Sequence, residues 1–138
     1  MISILVVTHG SMARAIIESS EMLVGKSESL HCLALEPGDN IDVFARYVKS
    51  QVKALDDGDG VLILVDLLGG SPFNAVGRNM MELHAECLTG LNMSMLLTAL
   101  DQREYCNLAQ LKEVCLEAAA SNIVDVRATL SDLEIDDE

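Results

Sequence analysis

Hydrophobic and polar positions alternate in blocks along the chain, and the blocks read as strand, helix, strand, helix almost throughout. Ile2 to Val7 is an unbroken apolar run, the pattern of a strand buried on both faces. Ala13 to Val24 follows with Ala13, Ile16, Ile17, Met22 and Leu23 near helical spacing, and Gly25 ends it. Leu30 to Leu35 predicts a second strand, and Pro37-Gly38 a turn. Asp39 or Asn40 can cap the next helix, which presents Ile41, Phe44, Ala45, Val48 and Val52 on one face and reaches about Leu55. Gly60 to Asp66 is the strongest strand signal. A glycine loop, Leu67 to Gly70, leads to Ser71-Pro72, which predicts a helix with Ser71 as N-cap and Pro72 at its first position. Ala85 to Thr89 predicts a fourth strand. Met93 to Gln102 and Leu108 to Ala120 predict helices. Ile123 to Leu130 alternates more than the other strands and predicts an edge strand, antiparallel to the rest.

This order implies one α/β domain over residues 1–130, followed by an acidic, frayed tail over 131–138. The sheet expected is open and doubly wound. Its parallel strands take the order 2-1-3-4, with an antiparallel fifth strand at the edge and helices on both faces.

Two strands end in polar residues that a core would not select. The first runs into Thr8-His9-Gly10-Ser11. The third runs into Asp66, then Gly69-Gly70-Ser71. In a sheet of order 2-1-3-4 these strands are neighbours at the point where the order reverses, and ligand sites form beyond the carboxyl ends there. His9 and Asp66 are therefore expected to face each other. A carboxylate that holds Nδ1–H fixes the imidazole tautomer and leaves the Nε2 lone pair free to attack, for example at phosphorus. Gly69, Gly70 and Ser71 before one helix, and Gly10 and Ser11 before another, offer backbone N–H groups to phosphoryl oxygens. His31 and His84 read as structural or surface residues. His9, His31 and His84 lack metal-ligand spacing, so neither a metal nor any other cofactor is expected.

Composition narrows the function classes. With 22 acidic against 9 basic residues the net charge is −13, which disfavours nucleic acid and anionic lipid as partners; it would attract a basic protein, and it equally serves solubility alone. The four cysteines, Cys32, Cys87, Cys106 and Cys115, form no Cys-x-x-Cys pair and lie in apolar or helical stretches. They read as reduced thiols of a cytoplasmic protein. The apolar start lacks the flanks of a secretory leader, and Val61 to Leu68 is too short to span a bilayer.

Three segments carry a family resemblance. MISILVVTHGSMA, GVLILVDLLGGSPFNAV and GLNMSMLL are similar to the enzyme IIA domains of the mannose-type branch (mannose/fructose/sorbose) of the bacterial sugar phosphotransferase system. The resemblance runs from Met1 to about Val126. One departure is Ser94, where the family usually has Pro. The resemblance implies that His9 accepts a phosphoryl group from the phosphocarrier protein HPr and passes it to a histidine of the IIB component, for sugar uptake through IIC/IID. It implies that Asp66 is the carboxylate partner of that histidine and that Ser71 lies in the active-site loop. It also implies a homodimer that exchanges the fifth strand, here Ile123 to Leu130, and a IIB met as a separate protein.

Three other readings use the same residues. One is a IIA-like carrier for a phosphoenolpyruvate-dependent dihydroxyacetone kinase. Another is a non-catalytic regulator toggled by phosphorylation of His9. The third, a flavodoxin-like nucleotide or flavin binder, is disfavoured by an aromatic content of 3% and by the absence of a G-x-G-x-x-G after the first strand.

Overall fold

The computed structural model describes residues 1–136. The elements are β1 (Ser3–His9), α1 (Met12–Val24), β2 (Leu30–Leu35), α2 (Ile41–Leu55), β3 (Val61–Val65), α3 (Ser71–Gly77), β4 (Ala85–Leu88), α4 (Met93–Gln102), α5 (Leu108–Ser121) and α6 (Val126–Asp136), with a short 3₁₀ turn at Met80–Glu82. The four strands are parallel in the order β2-β1-β3-β4, as expected.

Strand alternation divides the core into two layers. Ile4 and Val6 of β1, with Leu62 and Leu64 of β3, pack under Ala13, Met95, Leu96, Leu111 and Cys115. Leu5 and Val7, with Val61, Ile63 and Val65, pack under Phe44, Val48, Val52 and Val76. Both faces are therefore covered, which is why the strands read as continuous apolar runs rather than alternating ones. Burying each such side chain stabilises the fold by roughly 1.5–3 kcal/mol.

Local chemistry sets the helix ends. Asn40 caps α2 by accepting from Val43 N–H, and Asn107 and Gln110 form a reciprocal capping box on α5. Ser71 does not cap α3. Gly70 occupies the N-cap position and Ser71 opens the helix, so the expected boundary moves by one residue.

The C-terminal region corrects a larger expectation. Ile123 to Leu130 does not form a fifth strand; from Val126 the chain is helical. Asp125 decides this, since its carboxylate accepts from Ala128 N–H and its carbonyl from Thr129 N–H. A capping acid at that position outweighs the alternation of the neighbouring Val and Ile. The helix runs on to Asp136, through most of the segment expected to be a frayed tail.

Two polar anchors tie the end of the sheet opposite the strands' carboxyl termini. Arg103, only 7% exposed, donates to the carbonyls of Ile2, Ser29 and Glu28. Asp56 accepts from Gly58 and Gly60 N–H and lies 3.3 Å from Nδ1 of His84. The Gly58 bond is the main cause that holds its carboxyl below the usual carboxylate range; the Gly60 bond and His84 act in the same direction against partial burial.

Replacing Arg103 by Met removes its bonds to three carbonyls, of which Ser29 O keeps the N–H of Ile4, and is expected to cost about 3 kcal/mol in urea unfolding. A loss under about 1 kcal/mol would contradict the anchor. The depressed pKa of Asp56 means that its stabilisation is complete above the unfolded-chain value of about 3.9 and is lost as pH falls through the folded value. The urea midpoint of Asp56→Ala should accordingly lie below that of the wild type at pH 7 and approach it only as the pH falls below the unfolded-chain value.

Candidate active site at the ends of β1 and β3

The register of the central strands builds the site. β1 and β3 pair from Ser3↔Val61 to Val7↔Val65, and β1 continues two residues further, through Thr8 to His9. Where the next rungs of the ladder would fall, the Asp66 side chain takes over. Its Oδ2 accepts the backbone N–H of His9 at 2.9 Å and lies 2.7 Å from His9 Nδ1.

One carboxylate oxygen thus holds both the main chain and the ring of His9. Ionised Asp66 can only accept, so Nδ1 carries the proton and, in the neutral ring, Nε2 keeps its lone pair. Exposure is divided unequally: the His9 side chain is 50% exposed and that of Asp66 only 10%. The other carboxylate oxygen, Oδ1, is buried and makes no hydrogen bond among the described residues. A carboxylate so poorly solvated attracts a positive charge on the neighbouring ring more strongly than an exposed one.

Alternation along β1 turns His9 toward the face that carries α2 and α3, and there the glycine loop meets it. A Cβ built on Gly70 would lie 2.8 Å from His9 Cε1 and 3.5 Å from Nε2. The backbone of Gly70 is ordinary extended chain (φ −81, ψ 173), so what its position requires is the missing side chain, not special dihedrals. The Ser71 hydroxyl makes no hydrogen bond among the described residues, nor do the N–H groups of Gly69 and Ser71, while Gly70 closes a turn over Leu68 and Gly69.

On the β1 side the donors are distributed differently from expectation. The N–H of Gly10 donates to Leu35 O at 2.8 Å, so it is not available to a ligand. Gly10 instead supplies a left-handed turn, with φ +54. Ser11 is the N-cap of α1 without a side-chain bond. Its N–H, with those of Met12 and Arg14, has no partner among the described residues. Sequence reasoning named Thr8 among the polar residues at the strand end but gave it no role; it is fully buried and hydrogen-bonded at the start of α1. A β-branched residue after an apolar run looks like more strand, and no spacing rule marks it.

His31 is exposed on β2, and His84 is engaged with Asp56; neither approaches the pair at His9. Among the described residues no group of three His, Cys, Asp or Glu is placed to hold a metal ion. A cavity of about 880 Å³ lies elsewhere, between Met1, His84, Arg103 and Leu108. Cys87 and Cys115 are not reactive candidates, since burial pushes their thiols up to about 12 and about 11. Among the described residues no helix is long and apolar enough to cross a membrane.

Comparison with known proteins decides the family. The model of the family described as PTS system fructose IIA component matches residues 3–116. The chain belongs to this mannose/fructose-type EIIA family of the phosphotransferase system. Over 104 residues it is 38% identical to the PTS system mannose-specific EIIAB component of Escherichia coli, a match that takes in 75% of this chain and 32% of that protein. The chain thus spans about a third of that relative's length. It is 31% identical over 112 residues to the PTS system fructose-specific EIIA component of Bacillus subtilis, covering 80% of this chain and 77% of that one. Among solved structures, EIIA from Streptococcus agalactiae superposes with a TM-score of 0.86 at 29% identity, covering 93% of this chain and 99% of the other. The IIA protein associated with the fucose utilization operon of Streptococcus pneumoniae gives 0.76 at 33% identity, covering 94% and 99%.

The close approach of Gly70 to the ring of His9 has a direct test. In Gly70→Ala the backbone is unstrained, so thermal stability should stay within a few degrees of wild type. The added methyl should nonetheless swing the imidazole away from Asp66. Imidazole ¹⁵N shifts report this; an unchanged Nδ1–H signal would contradict the contact.

Proposed function

We propose that this EIIA chain is a phosphoryl carrier in sugar uptake. His9 Nε2 accepts a phosphoryl group from a histidine of HPr and passes it to a histidine of a IIB component. The observation that carries this reading is the Asp66 Oδ2 contact at 2.7 Å from Nδ1, which leaves Nε2 as the basic nitrogen of a half-exposed ring.

In the transfer, the N–P bond on HPr breaks as a bond from Nε2 to phosphorus forms, and the HPr ring departs as a neutral imidazole. His9 keeps its Nδ1 proton and gains positive charge, which the carboxylate of Asp66 offsets. Transfer to IIB reverses the step. Ser11 N–H, the N–H groups of Gly69, Gly70 and Ser71, and the Ser71 hydroxyl are the donors proposed for the phosphoryl oxygens. The part of Gly10 is to shape the turn. The large negative charge suits a basic docking partner.

The reading places the protein in the cytoplasm, with a core domain over residues 1–130 and an acidic extension after it. It also includes a homodimer. Val126, Leu130 and Leu133 lie at helical spacing on α6 and are more than half exposed, a stripe that a second copy can cover. The sugars in the names of the relatives differ, so the sugar served is left open.

Incubation with phosphoenolpyruvate, enzyme I and HPr should add one acid-labile phosphoryl group, on Nε2 by NMR, and none to His9→Ala. Label that persists in His9→Ala would overturn the reading. Asp66→Asn should slow labelling by about 100-fold, since it removes the charge that stabilises the ring. Phosphoprotein that forms normally but passes its group to no IIB would favour the regulatory alternative.

A further inference from the structure

Thr8 is a polar residue in a place built for an apolar one. It follows Ile4 and Val6 on the face of β1 that packs against α1, α4 and α5, and it is completely buried. Valine has the same shape and would fill that space without a hydroxyl to satisfy. The Thr8 hydroxyl is nevertheless fully employed. Oγ1 accepts the N–H of Ala13 at 2.9 Å and donates to the carbonyl of Gly10 at 3.4 Å. Ala13 is itself completely buried, so without Thr8 its N–H would be left unpaired in the core.

These two bonds surround His9. The residue before it holds the carbonyl of the residue after it, and the N–H of that same Gly10 is tied to Leu35 O on β2. His9 N–H is tied to Asp66. The main chain is therefore pinned on both sides of the histidine and also at the first turn of α1. Thr8 selects among the free donors of that turn as well. It consumes Ala13 N–H and leaves those of Ser11, Met12 and Arg14 without partners among the described residues. A side chain outside the helix thereby decides which backbone groups face outward next to His9.

We propose that Thr8 is a positioning residue for phosphoryl transfer at His9: its hydroxyl holds the Thr8-His9-Gly10 turn so that Nδ1 meets Asp66 and Nε2 points outward. The proposal rests on the reading of His9 as phosphoryl acceptor, but its structural half can be measured without it.

The test compares the full chain with Thr8→Val, which keeps the shape and loses the hydroxyl, and with Thr8→Ser, which keeps the hydroxyl. Three quantities are read: the imidazole ¹⁵N shifts of His9, the initial rate of labelling by phosphoenolpyruvate, enzyme I and HPr, and the thermal midpoint. Thr8→Val should shift the imidazole signals away from the wild-type tautomer and slow labelling by about tenfold or more at a temperature where it is fully folded. Thr8→Ser should restore both to within about twofold. A merely structural role would lower the midpoint of Thr8→Val and leave the tautomer and the rate unchanged, which would overturn the proposal. So would a Thr8→Ser variant as slow as Thr8→Val. Should Thr8→Val not fold, amide exchange in the wild type decides: Ala13 must be protected while Ser11 and Met12 exchange freely, and equal exchange overturns the proposal. If the wild type takes no label on His9, the functional reading fails. The ¹⁵N comparison still judges whether Thr8 orients the ring.

Discussion

A single carboxylate oxygen holds this site together. Asp66 Oδ2 accepts the N–H of His9 and meets its Nδ1, so strand pairing and ring orientation depend on the same atom. The arrangement works because β1 and β3 run in parallel register and end nearly flush, with Val7 opposite Val65. A slip of one residue would turn His9 to the other face of the sheet and move each β1 side chain from one core layer into the other. The two-layered core, which needs Leu5 and Val7 on one side and Ile4 and Val6 on the other, therefore also fixes where the imidazole stands.

The backbone around His9 is shaped by what is absent as much as by what bonds. Gly70 lets α3 approach the ring because it has no Cβ, and Gly10 turns the chain at a φ that other residues rarely adopt. Thr8 and Leu35 then fix that turn from opposite sides. None of these groups is a nucleophile. Together they restrict a half-exposed imidazole, whose side chain would otherwise sample several rotamers, to one presentation.

Much of this was legible in the sequence, for physical reasons. Unbroken apolar runs at Ile2–Val7 and Val61–Val65 can be satisfied only by strands covered on both faces. That requirement leads to a parallel sheet, and the sheet brings the two polar strand ends together. What failed to read was decided by single hydrogen bonds. Asp125 as a cap turned an alternating segment into α6. Gly70, not Ser71, took the N-cap position of α3. No spacing or pattern marked Arg103, which clamps three carbonyls under the sheet. Thr8 stood out as a polar strand-end residue, but nothing in its position told that its hydroxyl is buried and bonded to Ala13 N–H. Periodicity reports which side of an element is buried; it does not report which buried polar atom finds a partner.

The division of exposure between His9 and Asp66 fits the proposed role more closely than either residue alone. A carrier must offer the same nitrogen to two different proteins in turn, so the reactive ring has to lie on an open surface rather than at the bottom of a cavity. Exposure alone would leave the imidazole free to rotate and well solvated, with neither tautomer enforced. Burying the orienting carboxylate, 10% exposed against 50% for the ring, resolves the conflict. The rigid and charge-bearing part of the pair lies inside the fold, where neighbouring dipoles and low solvation strengthen it. The part that meets partners remains outside, and its freedom is removed by the turn that carries it, not by contacts that a docking protein would have to displace.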